Sequence, residues 1–478
     1  AFDKSGLMFS DQGAWFAYSM PNNANDFNGF SGPFLLTQEN GVWSASTIAQ
    51  LVLHNGGKTV QWDTVEKNGY NSHLTQSFSN DGLTLEQTLT YQTGHSARIL
   101  SRITNTGDAE LTLNYHWKNT PVLATGLTLL ARDNELTLLS DNSDAVGRLI
   151  FPKGTNITCS NNLYNTDIQT TTLKPNDSFQ VEIIHSFMFP EYNWDDETEK
   201  LQTPCEKILA QRIEEKESQL ANLVQNIRAD FDSLIYHELL CKAVLTLQNN
   251  WRIPAGKLKH QGLFPSYHYK WFNGFWSWDS WKHAVGLSFY DTQLAKDQVR
   301  AMFDFQNDNG FVADCVYRDT TIEPHNYRDT KPPLAAWSVA AIYSKDPDLE
   351  FVKELYPKLI KYHYWWYAER DHDKDGICEY GSTDGTIIAA KWESGMDNAI
   401  RFDNAEILQT SETAYSLNQE SVDLNAYLYA EKLYLAKLAK ALDLPDDLSR
   451  LKKEANDLLK KLDQFYDSAD GWYYDLAI

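Results

Sequence analysis

The feature that most constrains the fold is a change of hydrophobic period near residue 190. Before it, segments such as LTQSFSNDGLTLEQTLTYQT and SARILSRITNTGDAELTLNYHW alternate apolar and polar residues and break at turn signals such as NDG and NTGD. A period of two places apolar side chains on one face of a strand, and short polar turns between strands are typical of antiparallel sheets. Residues 1–192 are therefore predicted to form an antiparallel β-sandwich.

After this change the apolar spacing becomes helical. The charged stretch 193–233 contains EKILAQRIEEKESQLANLVQNI and is predicted to be a linker helix region. Residues 234–478 contain seven predicted helices joined by long loops, at about 235–250, 279–290, 293–306, 333–345, 348–369, 420–442 and 446–465. Serial helix pairs predict an all-α toroid of the (α/α)6 type. These helices supply only the first part of such a barrel, so we expect it to be incomplete at the C-terminus.

The composition narrows the class of partner. The 478 residues include 65 acidic and 42 basic ones, which gives a formal charge of −23. Repulsion between like charges disfavours nucleic acid and anionic membranes as partners, whereas a neutral ligand is not penalised. No run of about 18 apolar residues predicts a membrane span. The 15 Trp and 25 Tyr suit contacts with sugar rings or a large core.

The cysteines and the first residue bear on location only. Five cysteines lie far apart and form no CxxC pair, so neither a disulfide framework nor a zinc site is predicted. The chain starts at Ala1, as a processed protein does. We expect a periplasmic or secreted protein, with a cytoplasmic one as the alternative.

Residues 263–284, LFPSYHYKWFNGFWSWDSWKHA, form an aromatic loop. Trp271, Trp276, Trp278 and Trp281 surround Asp279, which lies in the first turn of a predicted helix. An acid beside aromatic rings in a concave loop can accept hydrogen bonds from sugar hydroxyls while the rings cover a face of the sugar. A cap on the hydrophobic core is the alternative interpretation.

A second polar loop, EPHNYRDTKPPLAAW, supplies hydrogen-bond donors. It places Asn326, Arg328 and Lys331 before a helix that begins after proline. If helix pairs alternate regularly, we expect these donors on the same side of the toroid as the aromatic loop.

Residues 391–403, KWESGMDNAIRFD, group acids around one glycine. Glycoside hydrolysis needs two carboxyl groups, one of which protonates the leaving oxygen. Asp397 is the best candidate for this acid, since Met396 and Trp392 can desolvate it and Gly395 permits an unusual turn. Glu393 is the second candidate, and an ordinary solvated loop is the alternative interpretation.

The segment DHDKDGICE resembles the start of a calcium loop. Asp371, Asp373 and Asp375 occupy alternate positions, Gly376 follows, and Ile377 offers a backbone carbonyl. This order reproduces the first seven positions of an EF-hand loop, and hard oxygen ligands suit Ca²⁺. The next acid, Glu379, falls at the ninth position and not the twelfth, so this is no complete EF-hand. A bare acidic turn is the alternative.

Five stretches occur in the order and rough spacing of glycoside hydrolase family 63: WFNGFWSWDSWKHA, RDTKPPLAAWSV, DHDKDGICEYG, WESGMDN and QESVDLNAYLYAEKLYLAKLAKAL. Over nearly its whole length the chain resembles the bacterial α-glucosidase members, which carry a β-sandwich before an (α/α)6 barrel.

The resemblance implies an inverting, exo-acting α-glycosidase that hydrolyses an α-linked glucosyl oligosaccharide or glucoside. Asp397 is implied as general acid, Trp392, Trp278 and Asp279 as contacts of the sugar, and Lys331 as a residue on the leaving-group side. Trp276, Arg328 and Glu393 complete the predicted substrate-binding residues. A structural Ca²⁺ is also implied, held by the acidic loop with Glu420 from a distant helix.

One departure from the family leaves a second function open. The general base of the family is a Glu near the end of the barrel, and no match to it occurs by Ile478. The alternative is therefore a carbohydrate-binding or structural fragment, whose partner would be the missing part of the barrel.

Overall fold

A computed structural model of the protein describes residues 8–36, 42–225, 227–267 and 271–478. The chain divides into two compact units. Unit 1 comprises Ala1–Gly256 with Ser266–Asn273, and unit 2 comprises Lys257–Pro265 with Gly274–Ile478. The predicted domain boundary at residue 234 does not coincide with this division, because the helix that begins there belongs to unit 1.

Unit 1 is rich in short strands. In chain order they are β1 Phe16–Ser19, β2 Ser31–Leu35, β3 Val42–Trp43, β4 Gln50–Asn55, β5 Lys58–Thr59, β6 Thr64–Gly69, β7 Leu74–Asn80, β8 Leu83–Tyr91, β9 Ser96–Asn105, β10 Leu111–Lys118, β11 Leu127–Arg132, β12 Glu135–Ser140, β13 Ser143–Ile150, β14 Ile157–Ser160, β15 Leu163–Thr166, β16 Gln169–Leu173, β17 Ser178–Met188 and β18 Trp251–Arg252.

Most of these strands form two large antiparallel sheets, and β1, β2 and β3 form a separate three-stranded sheet. One has eight strands in the order β11-β12-β13-β17-β9-β8-β7-β6, and the other is built on β10, which pairs with β4, β15 and β16. Leu83, Leu85 and Leu89 of β8 are buried at every second position, as the alternating sequence predicts. The sheets pack face to face, since the rings of Tyr115 on β10 and Phe179 on β17 lie 5.3 Å apart. The N-terminal β-rich region is confirmed.

Three helices follow in unit 1: α1 Trp194–Lys200, α2 Cys205–Val224 and α3 Leu234–Asn250. The first two lie in the predicted linker region. The α2 helix is fixed to the N-terminal segment by a buried ion pair in which Lys216 Nζ lies 2.8 Å from Asp11 Oδ1.

Unit 2 is mainly helical. Its helices are α4 Ser277–Leu287, α5 Thr292–Phe303, α6 Ala335–Lys345, α7 Leu349–Glu369, α8 Ile387–Glu393, α9 Val422–Ala441 and α10 Pro445–Leu462. Its short strands are β19 Gly262–Leu263, β20 Phe275–Trp276, β21 Cys315–Val316, β22 Glu379–Ser382, β23 Ile407–Gln409, β24 Tyr415–Glu420, β25 Tyr466–Asp467, β26 Trp472–Tyr473 and β27 Leu476–Ala477.

The long helices of unit 2 form three consecutive pairs. The first members α4, α6 and α9 pack in series, and they pack on their second members α5, α7 and α10. All seven predicted helices exist within a few residues of their predicted bounds. The short helix α8 was not predicted, because its seven residues span only two turns. The N-terminal ends of α4, α6 and α9 carry the loops that sequence analysis singled out.

No helix among residues 8–36, 42–225, 227–267 and 271–478 is long and apolar enough to cross a membrane.

Candidate functional site

A buried lysine lies at the centre of the site. Lys331 is 5% exposed, and its Nζ lies 3.1 Å from Asp329 Oδ2 and 3.3 Å from Asp314 Oδ1. Asn326 donates to both acids, at 2.8 Å to Asp314 Oδ2 and 3.0 Å to Asp329 Oδ1. Burial opposes the charged form of Lys331, but Asp314 and Asp329 outweigh it and raise the pKa of the lysine. Lys331 is therefore a fixed cation.

The two acids around Lys331 share one positive charge. Burial raises the pKa of Asp314, although Lys331 and Asn326 act in the opposite direction. Burial, followed by repulsion from Asp314, raises the pKa of Asp329 well above its usual range. Two carboxylates beside one ammonium group in a buried site favour retention of a proton by one of them.

Lys331 also interacts electrostatically with two carboxylates that the sequence analysis named, Asp397 and Asp279. Asp397 contributes to the raised pKa of Lys331, and Lys331 in turn acts on Asp279. Asp279 is half-buried in the first turn of α4, and burial raises the pKa of its carboxyl group against the pull of Lys282 and Lys331. Trp278 of the aromatic loop packs on Gly395, and Lys331 of the donor loop donates to the carbonyl of Trp392, so both loops contact the KWESGMDN loop.

The ring of Trp278 packs directly on Gly395 of the KWESGMDN loop, which we call the acid loop. Gly395 has φ +69°, and a β-carbon added there would lie 2.4 Å from the Trp278 ring. The predicted unusual turn is confirmed, and glycine is required both by this backbone conformation and by the close approach. On the Trp278 ring, the ammonium of Lys282 lies 3.2 Å from the centroid.

Trp392 forms a second partly exposed aromatic surface. The guanidinium of Arg328 lies 5.2 Å from the Trp392 ring centroid. Arg328 is held in place by Asp384, 2.5 Å from its Nε, and by Thr386 Oγ1, 3.1 Å from its Nη2. The carbonyl oxygen of Trp392 accepts a hydrogen bond from Lys331. The donor loop thus touches the acid loop at two points.

The structure corrects the prediction for Glu393. Its side chain is fully buried and forms a bidentate ion pair with Arg370, at 2.8 Å from Nε and 2.9 Å from Nη2. The backbone N–H groups of Gly381 and Thr330 donate to the same carboxylate, at 2.6 Å and 3.3 Å. A carboxylate enclosed in this way is available neither to a sugar nor to a leaving oxygen. Glu393 instead anchors the acid loop.

Asp397 follows this anchor and is exposed. Trp392 and Glu393 end helix α8, and Asp397 lies in the turn beyond Gly395. Met396 is 42% exposed, so the desolvation of Asp397 that we expected from Met396 is absent. Lys391, Trp392 and Glu393 are the last residues of helix α8, so the loop in this stretch begins at Ser394.

The remaining tryptophans of the aromatic loop divide between core and surface. Trp281 is fully buried against Phe303, with ring centroids 5.3 Å apart, so the core interpretation holds for this residue. Trp276 is partly buried and packs edge-on against Tyr317, with centroids 5.9 Å apart. Trp271 is 67% exposed and belongs to unit 1.

The acidic loop gathers carboxylates in the manner of a cation site. Ligand oxygens of Asp371, Asp373 and Asp375 all lie within 4.8 Å of one another. The loop is wound around its own acids: Gly376 N donates to Asp371 Oδ2 at 3.0 Å, and Ile377 N donates to Asp375 Oδ1 at 2.7 Å. One side-chain oxygen of Asp371 is buried without a hydrogen-bond partner in the described chain.

Two further acids face each other beside this loop. Glu379 of β22 and Glu420 of β24 are directly opposite in the antiparallel pair, where like charges destabilise a sheet. Burial, aided by neighbouring acids, raises the pKa of Glu379 to about 9 and that of Glu420 to about 7. Glu379 Oε1 also has no hydrogen-bond partner among the described residues. A hard cation would satisfy these orphaned oxygens and remove the repulsion, so the residues fit the predicted Ca²⁺.

Sequence reasoning missed the residues that hold the site together. Asp314, Asp329 and Arg370 were not singled out, although Asp329 lies within the quoted RDTKPP stretch. For Arg370 the available signal was a charged residue directly after a predicted helix, which is too common to identify a buried ion pair, and Asp314 and Asp329 did not carry even this signal.

Two family models match the chain. The model "Mannosylglycerate hydrolase MGH1-like glycoside hydrolase domain" matches residues 273–478, and "Glucosidase YgjK, N-terminal" matches residues 6–121. The first match contains every predicted catalytic, substrate-binding and metal residue.

Among curated relatives, the mannosylglycerate hydrolase of Thermus thermophilus is 31% identical over 182 residues, which cover 34% of this chain and 40% of that protein. Mannosylglycerate hydrolase MGH1 of Selaginella moellendorffii is 28% identical over 185 residues, which cover 34% of each protein. The chain thus matches well under half the length of these relatives.

Among solved structures, a putative kojibiose phosphorylase from the human microbiome has a TM-score of 0.58 at 8% identity and covers 98% of this chain and 68% of that one. This likeness shows the fold alone, a β-rich region followed by a helical domain. Residues 273–478, nearly all of which lie in unit 2, are therefore similar to a glycoside hydrolase domain.

Proposed function

We propose that the chain is an exo-acting α-glycosidase that hydrolyses with inversion and uses Asp397 as its general acid. The observation that carries the proposal is that the Trp278 ring packs on Gly395 and that Lys331 donates to the carbonyl of Trp392, which places the aromatic loop and the buried lysine beside the loop that presents Asp397. Aromatic faces and fixed polar groups around an available carboxyl group are what a sugar site requires.

Each residue has a distinct role in this proposal. Trp278 and Trp392 cover faces of the sugar, and Asp279 accepts hydrogen bonds from its hydroxyls. Arg328, held by Asp384, donates from the Trp392 side. Lys331 keeps its proton, and its fixed positive charge orients the carboxylates around it. Asp397 is exposed, and a bound sugar would supply the desolvation that a proton donor needs.

The sugar is an α-linked glucosyl unit in this proposal, as the resemblance implies. The names of the curated relatives favour a second candidate, an α-linked mannosyl glycerate. Charge bears on the choice: the chain carries −23 overall, and the Lys331 cation is already surrounded by carboxylates, which favours an uncharged leaving group.

The test incubates the chain with α-linked glucosyl disaccharides and with α-mannosylglycerate, and follows released anomers by proton NMR. Inversion requires β-anomer as the first product and a second carboxylate roughly 6.5–9.5 Å from the acid. We expect Asp397→Asn to lower the rate by about 10²–10⁴-fold while sugar binding persists. Asp403→Asn, an exposed acid of the same loop, is the matched control.

Near-normal turnover by Asp397→Asn would remove the general acid from this proposal. Saturable sugar binding with no product from the unaltered chain would instead favour the carbohydrate-binding alternative.

We also propose that the acidic loop binds Ca²⁺ as a structural ion, through Asp371, Asp373, Asp375, Glu379 and Glu420 with the Ile377 carbonyl. The ion would supply charge neutralisation. The crowded carboxylates and their orphaned oxygens support this assignment.

A further inference from the structure

We propose that unit 2 carries a second carbohydrate site, a cleft beside β24 that binds a neutral oligosaccharide. The cleft has a volume of about 490 Å³ and is lined by Arg401, Asn404, Asn418, Gln419, Val422, Tyr473, Tyr474 and Asp475, together with Leu476 and Ala477 of β27. None of the residues proposed for hydrolysis lines it. Its volume lies within the usual range for small-molecule sites.

The C-terminal strand forms one wall of the cleft. β27 pairs with the end of β24, with Ala477 opposite Gln419 and Leu476 opposite Glu420. Asp475, just before β27, accepts hydrogen bonds from Val422 N at 2.9 Å and from Gln419 Nε2 at 2.7 Å. The wall is thus fixed before any ligand binds, which lowers the entropic cost of binding.

The charge of the cleft excludes an anion as the preferred ligand. Arg401 is its cation, and Nη1 lies 2.9 Å from Asp423 Oδ1 and 3.2 Å from Asp475 Oδ2. Arg401 Nη2 also donates to Asp423 Oδ2 at 3.1 Å. One guanidinium shared by two carboxylates leaves no net positive charge for a carboxylate or phosphate ligand.

Three carboxamides remain available for hydroxyl groups. The side chain of Asn404 is exposed and makes no hydrogen bond within the described ranges. Asn418 accepts from Glu406 N at 2.8 Å through Oδ1, which leaves its NH₂ group, and Gln419 donates to Asp475, which leaves its Oε1. An amide group offers both donor and acceptor, and each sugar hydroxyl needs both.

Two tyrosine rings complete the cleft. Tyr473 is 55% exposed and Tyr474 49% exposed. Both are held in place: the Tyr473 ring lies 5.1 Å from that of Tyr466, and the Tyr474 hydroxyl donates to Asp470. Fixed, exposed aromatic rings beside uncharged amides suit the apolar face of a sugar ring and its hydroxyls. This combination identifies a neutral oligosaccharide as the ligand class.

Calorimetric titration with maltotriose tests the site. The substitution Trp392→Ala is made to weaken sugar binding at the hydrolytic site. The binding isotherm that remains in this variant is assigned to the cleft. We expect Asn404→Ala and Tyr473→Ala to weaken that isotherm about fivefold or more, since each removes one contact of ordinary strength. Tyr70→Ala is the control for Tyr473→Ala, because Tyr70 is 49% exposed, close to the 55% of Tyr473, but lies in unit 1. Asn404→Ala removes no internal hydrogen bond, so the fold is preserved.

The proposal is overturned if no saturable isotherm survives Trp392→Ala, or if the surviving one is indifferent to Asn404→Ala and Tyr473→Ala. Tighter binding of glucuronate than of glucose to the cleft would also overturn it, since a neutral ligand is specified. Loss of hydrolysis in Asp397→Asn leaves the expected isotherm unchanged, so the two proposals fail separately.

Discussion

Glu393 shows how one buried side chain can fix a loop that acts elsewhere. Its carboxylate joins α8 to Arg370, to β22 through Gly381 and to the donor loop through Thr330. We expect Glu393→Gln to lower the free energy of unfolding by about 3–5 kcal/mol, because it leaves Arg370 charged, buried and unpaired. Urea denaturation measures this free energy. The control is Asp403→Asn, whose free energy of unfolding should lie within about 0.5 kcal/mol of that of the unaltered protein. A loss below about 1 kcal/mol would contradict the anchoring role.

Single residues differ in how far sequence could place them. The turn at Gly395 was predictable, because glycine in a polar stretch signals a backbone that other residues avoid. The burial of Glu393 was not, because its partners Arg370 and Gly381 lie 23 and 12 residues away and meet it only in the folded unit. An acid in a polar stretch looks the same in sequence whether its carboxylate faces a sugar or an arginine.

At the scale of elements, the acidic loop proposed to bind Ca²⁺ is connected by hydrogen bonds to the loop that carries Asp397. Arg370 directly precedes the metal candidate Asp371, and Gly381 lies two residues after the metal candidate Glu379. Both Arg370 and Gly381 donate hydrogen bonds to Glu393. Removal of a cation from the acidic loop would therefore disturb the anchor of Asp397.

We expect chelation to lower the thermal midpoint of unit 2 and its hydrolytic rate together. Ca²⁺ should restore both, and excess Mg²⁺ should restore them poorly, since Mg²⁺ demands a tighter octahedral site. Calorimetry with and without EDTA measures the effect, and Asp373→Asn should make the protein insensitive to EDTA. A thermal midpoint that does not change after exhaustive chelation would contradict the proposed structural Ca²⁺.

Elements with a long period were predictable, and short ones were not. The seven long helices follow from apolar spacing over three or more turns. The two-residue strands β20 and β21 carry no period at all, yet they place Phe275 opposite Val316 and so set the start of α4. Their formation depends on tertiary packing, which overrides local propensity.

At the scale of the whole molecule, the order of a β-rich region before a helical one was predictable, because the two periods occupy separate stretches. The division between the units was not. Helix α3 has the spacing of the helical region but is bound to unit 1, where Asn249 Nδ2 donates to the carbonyl of Met8 at 2.9 Å.

The first turns of α3 leave an apolar surface open to solvent. Leu234 is 74%, Ile235 70% and Leu239 62% exposed, whereas the last three residues of the helix are buried. Contiguous exposed apolar groups on one helix are unusual in a soluble monomer and bind hydrophobic dyes. We therefore expect the folded chain to enhance anilinonaphthalene sulfonate fluorescence at neutral pH, and Ile235→Gln with Leu239→Gln to remove most of this signal. Leu130→Gln is the control, because Leu130 is 50% exposed on strand β11. A folded chain that binds no dye would contradict the exposure of these three side chains to solvent.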